Sequence, residues 1–184
     1  MNSSSDNAIM LKVKSGQVEI LGLLYERYKK WLYNFFQQMH YNTDVSEDLV
    51  QNVFVRILKY KHTYTEDSKF VTWLFQIARN ESHDYFNKHV KNKRQVDLEY
   101  VSYKLSDQNS AEQNIEKSEE IKLLNEAIMK LPYEKKEIIT LSKLKQLKYK
   151  EIGTILGCSE ANARIKAHRA LQDLKTTYMA MQKN

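Results

Sequence analysis

Apolar residues return every three or four positions along most of this chain, and that spacing confines it to helices. Leu21, Leu24, Tyr25, Tyr28, Leu32, Phe35 and Phe36 share one broad face, with Glu26, Lys29 and Lys30 on the polar side. Strand-rich folds need frequent turn residues, yet 184 residues here hold four Gly and one Pro. The expected fold class is all-α.

The stretch from Val18 to Val96 is rich in aromatics and carries two further helical patterns. In "DVSEDLVQNVFVRILKY", Asp44 followed by Glu47 has the form of a capping box, so the helix is expected to open there. Leu49, Val53 and Ile57 then align, with Val50, Phe54 and Leu58 widening the stripe. The third pattern, "FVTWLFQIARNESHDYFNKHVKNKR", turns Val71, Leu74, Ile77 and Ala78 inward and ends in the basic run Lys88, Lys91, Lys93 and Arg94. Trp73 lies within this stripe and is expected in the core. A short polar loop, "KHTYTEDSKF", separates the two.

Composition changes at Asp97. "DLEYVSYKLSDQNSAEQNIEKS" has too little apolar surface to offset its ordering entropy, so residues 97–117 are expected to be a flexible linker between two small helical domains, 1–96 and 118–184. The second domain starts with a helix through Ile121, Leu124, Ile128 and Leu131 that Pro132 ends, and another runs from about Tyr133 to Lys145 with Ile138, Ile139 and Leu141 inside.

"YKEIGTILGCSEANARIKAHRALQDL" then reads as helix, tight turn, helix. Ile152, Ile155 and Leu156 give the first helix an apolar face, Gly157 can take the left-handed conformation that ends it, and Ser159 is a good N-cap for the second. Ala163, Ala167, Ala170, Leu171 and Leu174 can face inward while Glu160, Asn162, Arg164, Lys166 and Arg169 stay outside. Small inward residues with polar and basic ones outside suit a helix laid in the DNA major groove, and a net charge of +6 agrees with an acidic partner. The plain alternative is a solvated basic face on a helical hairpin.

A single cysteine, Cys158, excludes an internal disulfide or a cysteine zinc cluster and reads as a small buried thiol in the turn. No apolar run approaches the ~20 residues of a membrane helix, and the N-terminal residues lack the order of a secretory signal, so a cytoplasmic protein is expected. The five histidines are scattered and there is no Gly-rich phosphate loop. No catalytic residue, metal site or cofactor is expected; Asp44, Glu47 and Asp48 suit a helix N-terminus through its dipole alone.

Read together, three stretches carry a resemblance: "SEDLVQNVFVRILK" (46–59), "FVTWLFQIARNESHDYFNK" (70–88) and "LPYEKKEIITL" with "YKEIGTILGCSEANARIKAHRALQDLK" (131–175). In this order the chain resembles a bacterial RNA polymerase sigma factor of the extracytoplasmic-function branch. That resemblance implies a promoter-melting domain, a linker and a helix-turn-helix domain in a non-catalytic initiation subunit. Asn52, where the family usually has an acid, Lys148, where a small hydroxyl residue often caps, and Ala161-Asn162-Ala163, where Gly-Thr-Val is common, depart from its pattern.

The resemblance also implies roles. Asp48, Gln51, Asn52 and Arg56 would meet the clamp coiled coil of core RNA polymerase. Thr65, Glu66, Asp67, Ser68 and Lys69 would form the loop that reads one flipped base of the minus-ten element. Arg79, Asn80, His83, Asn87, Lys88 and Lys91 recur at helical spacing and would follow the non-template strand. Ser159, Glu160, Asn162, Arg164, Lys166, His168 and Arg169 would serve the minus-thirty-five element. Core polymerase and promoter DNA are the implied partners, with an anti-sigma factor as a third known among relatives. The rival readings are a stand-alone helix-turn-helix regulator and, further off, a nucleic-acid enzyme.

Overall fold

A computed structural model describes residues 5–90, 114–143 and 147–182. Among these residues the chain forms eight α-helices and no strand. The first half holds α1 (Asp6–Lys14), α2 (Leu21–His40), α3 (Thr43–Tyr60) and α4 (Phe70–Tyr85), the last running into a π-helical turn over Phe86–Val90. The second half holds α5 (Asn114–Lys130), α6 (Tyr133–Lys143), α7 (Tyr149–Leu156) and α8 (Glu160–Gln182).

Three helices make the first core. Leu24, Leu32, Phe35 and Phe36 of α2 are fully buried with Val53 and Ile57 of α3 and Leu74, Phe75 and Ala78 of α4. Edge-to-face pairs tie them further, Tyr25 on Phe54 at 5.0 Å and Phe35 on Phe75 at 5.7 Å between centroids. Each buried aromatic or aliphatic side chain contributes about 1.5–3 kcal/mol.

Three details differ from the sequence expectation. The cap of α3 is Asn42, whose side chain accepts from the Val45 amide at 3.0 Å, so the helix opens ahead of Asp44. Leu58, Ile121, Leu124 and Leu171 lie outside the core, at 42%, 52%, 40% and 37% exposure, because each sits at the edge of a stripe narrower than its spacing suggested. The nine-residue α1 was not expected at all; it is capped by Ser5 and docked through Ile9, Met10 and Val13.

Residues 97–113 of the expected linker lie outside the described residues, and α5 begins at Asn114, inside the span assigned to the linker. The two halves pack against each other, α4 on α7 and α2 on α6. In the second half α8 is the spine, contacted by α5, α6 and α7.

Candidate nucleic-acid interface

The helix-turn-helix forms as the sequence indicates. Gly157 ends α7 at φ 67°, and the Ser159 hydroxyl accepts from the Asn162 amide at 3.2 Å. Lys148 precedes α7 without a side-chain cap of its own; the Glu151 carboxylate instead takes the Lys148 amide at 2.7 Å. On α8, Ala163, Ala167, Ala170 and Leu174 are buried, and Glu160, Asn162, Arg164, Lys166, His168 and Arg169 are all exposed. Arg164 is held in place by Glu160 at 2.7 Å and by the Tyr149 ring, 4.9 Å from its guanidinium.

The loop ahead of α4 is compact. Ser68 donates its amide to the Thr65 carbonyl at 3.2 Å, and the Tyr64 hydroxyl donates to the Ser68 carbonyl at 2.8 Å. Burial pushes the Tyr64 hydroxyl up to about 12, so it remains a donor across the physiological range. Thr65, Glu66 and Asp67 point into solvent, Ser68 is half-buried, and Lys69 pairs with Glu151 of α7 at 2.6 Å.

The face of α4 is divided between solvent and the second half. Asn80 is exposed, but Arg79 is ion-paired at 3.0 Å with Glu137, a carboxylate that burial pushes upward and Arg79 pulls back. His83 lies against the Tyr133 ring at 5.0 Å. Asn87 and Lys88 fall in the π-helical turn, where hydrogen bonds span five residues rather than four, and both are exposed, Asn87 Nδ2 lying 3.4 Å from His83 Nδ1. Lys91 lies outside the described residues. Trp73, expected in the core, is half-buried; it packs on Tyr64 at 5.2 Å and lines an open cleft with Arg56, Tyr60, Thr63, Gln76 and Asn80.

The seam between the halves therefore takes up part of the expected DNA surface. Besides Lys69–Glu151 and Arg79–Glu137, Gln76 donates to the Thr154 carbonyl at 3.3 Å and Tyr133 donates its hydroxyl to Ser82 at 2.7 Å. The Ser82 hydroxyl also meets His40 Nε2 at 2.8 Å, in a hydrogen bond whose direction follows the imidazole tautomer. Burial first, and the Lys136 charge second, push His40 down to about 4, which favours the neutral imidazole. For Lys69 and Arg79 to reach a nucleic acid, their ion pairs across the seam must open.

On α3, Asp48, Gln51 and Asn52 are exposed, as expected of an outward face. Arg56 is not: it turns to α4, paired with Glu81 and with Asp84 at 2.9 Å. Val55, 64% exposed one turn beyond Gln51, joins that face instead. Residue spacing alone put Val55 within reach; its apolar character hid it.

These two halves match known families. The Sigma-70 region 2 family matches residues 24–92, and the Sigma-70 region 4 family matches residues 121–174. The ECF RNA polymerase sigma factor SigM of Bacillus subtilis is 35% identical over 84% of this chain and 93% of its own length. RNA polymerase sigma factor CarQ of Myxococcus xanthus is 27% identical over 90% and 93%. Among solved structures, CnrH in complex with the cytosolic domain of CnrY superposes with a TM-score of 0.73 at 19% identity, covering 96% of this chain and 99% of that one. The chain belongs to the extracytoplasmic-function branch of the sigma-70 family of RNA polymerase sigma factors, which bind core polymerase and direct promoter-specific initiation. That membership sets aside the stand-alone regulator. No helix among the described residues is long and apolar enough to cross a membrane.

Proposed function

We propose that this sigma factor divides promoter reading between its halves, the 64–70 loop and α4 serving the minus-ten element and α8 the minus-thirty-five element, as a non-catalytic subunit acting in the cytoplasm. The observation that carries the reading is α8: a helix seated by three buried alanines, capped at Ser159, with its cations outside. Such a helix can approach base edges without disturbing its own core.

Arg164 and Lys166 are expected to behave differently. Arg164 is preorganised by Glu160 and Tyr149, which suits base reading; Lys166 is exposed and suits a phosphate. Arg164→Ala is expected to lose about 1–3 kcal/mol of discrimination between matched and scrambled minus-thirty-five sites. Lys166→Ala is expected to weaken both equally and to reduce the salt slope by about one. Binding measured over a salt series decides; no change in either variant would leave the basic face merely solvated.

For polymerase docking, the exposed face of Asp48, Gln51, Asn52 and Val55 is the proposed surface, with Arg56 positioning α3 on α4 rather than reaching the partner. Replacing Gln51 and Asn52 together with Lys is expected to weaken core-polymerase binding by about tenfold, the scale of one disturbed polar contact patch. Circular dichroism is expected to stay unchanged. Full affinity in a folded variant would remove this face from the interface.

A protein partner of the anti-sigma class fits the same reading. The neighbour RpoE was solved with the anti-sigma factor NepR from Bartonella quintana and superposes with a TM-score of 0.68 at 21% identity, covering 85% of this chain and 95% of that one.

A further inference from the structure

Helix α1 stands ahead of the residues matched to the region 2 family, which begin at 24. Its apolar side is already occupied in docking, through Ile9, Met10 and Val13, and Asp6 adds a bond from the Tyr28 hydroxyl at 2.6 Å and a pair with Arg27. Two further polar side chains of α1 go elsewhere, both to the backbone of the loop between Tyr64 and Phe70.

Lys14 donates to the Tyr64 carbonyl at 2.6 Å, where the loop begins. Asn7 holds the other end twice: its Nδ2 donates to the Ser68 carbonyl at 3.2 Å, and its Oδ1 accepts from the Phe70 amide at 2.9 Å. The Phe70 amide belongs to the first turn of α4, where no carbonyl of the helix can reach it, and Lys69 at the N-cap offers no side-chain acceptor. Asn7 thus caps α4 from another helix. Because every one of these bonds goes to the main chain, the side chains of Thr65, Glu66 and Asp67 remain exposed.

We propose that α1 positions the minus-ten reading loop, with Asn7 and Lys14 as positioning residues that fix its two ends while leaving its side chains free to read. This rests on the reading of 65–69 as the base-reading loop. A loop fixed at both ends presents its side chains in one geometry, and a base captured from the stack is discriminated only by groups already in place.

The test uses holoenzyme assembled from the full chain and core polymerase. Transcription is measured on one set of promoters with single-base changes in the minus-ten element and on another with changes in the minus-thirty-five element. Asn7→Ala and Lys14→Met are each expected to reduce the preference for the best minus-ten element over its single-base variants by about tenfold, within the range of one base contact. Minus-thirty-five preference is expected to hold, and Lys14→Arg, which keeps the donor, is expected to keep the wild-type profile. An equal fall across both promoter sets, or unchanged preferences, overturns the proposal. Lys14 is exposed, so Lys14→Met decides the matter if Asn7→Ala does not fold. The double variant Glu66→Ala, Asp67→Ala separates the two levels: if it leaves minus-ten preference untouched, the loop assignment itself fails. If it shifts that preference while the α1 variants do not, the positioning role alone fails.

Discussion

Gly153→Ala is expected to destabilise the helix-turn-helix by about 3 kcal/mol, the upper part of the range for overpacking, and to abolish binding to the minus-thirty-five element. A Cβ at residue 153 would stand 2.7 Å from the Cys158 carbonyl oxygen, 3.2 Å from the Ser159 carbonyl carbon and 3.3 Å from the Glu160 nitrogen. All three are backbone atoms, so no side chain can rotate out of the way. They form the turn into α8, and the displacement would fall on the Ser159 cap and the first turn of that helix. Gly157→Ala provides the contrast. That glycine has φ 67° with nothing within 4 Å of its would-be Cβ, so the expected cost is only the left-handed backbone, about 1–2 kcal/mol. Urea unfolding of the full chain and binding to a minus-thirty-five duplex would measure both; equal losses would show that close approach is not what selects glycine at 153.

Lys136→Met is expected to act in the opposite sense and to stabilise the protein by about 2–3 kcal/mol at pH 7. Lys136 of α6 is 6% exposed, its ammonium donates to the Met129 sulfur at 3.7 Å, and no ion pair with it is seen among the described residues. Burial pushes it down to about 8 from 10.5. Since the folded state holds this proton less tightly than the unfolded one, the lysine's contribution to stability is present above pH 10.5 and is lost as pH falls to about 8. The advantage of Met is therefore full at pH 7 and shrinks between pH 8 and 10.5 toward a packing difference alone. Comparing the two proteins cancels the tyrosines that also titrate there. A gap that did not change with pH would rule out the charge as its origin.

The helices of the two cores were legible because their stripes are long and apolar. Leu49, Val53 and Ile57 on α3, and Ala163, Ala167 and Ala170 on α8, are buried as their spacing requires. The turn was legible for a different reason: Gly157 and Ser159 have local roles that their chemistry specifies. Helix α1 was not, since nine residues, of which three are buried, give too short a pattern, and its stability comes from packing rather than propensity. Ser5 followed by Asp6, with Ile9, Met10 and Val13 at helical spacing, was the available signal. The pairs Lys69–Glu151 and Arg79–Glu137 were out of reach altogether, because partners so far apart in sequence leave no periodic trace. That is why both cations read as free for DNA in the sequence and as engaged in the structure. Arg56 misled for the same reason: its helical position says outward, and Glu81 and Asp84 draw it sideways onto α4.

The place of Asn7 has a practical bearing on how the protein is handled. Its side chain bonds the loop at Ser68 and Phe70, and Ser5, two residues earlier, is joined to it by no more than about 7 Å of chain. An affinity tag or fluorescent protein fused ahead of Ser5 would hang beside the loop proposed to read the minus-ten element and, on that proposal, would crowd an incoming promoter. A fusion carried beyond Gln182, at the far end of the 23-residue α8, would begin about 35 Å along that helix from its capped start.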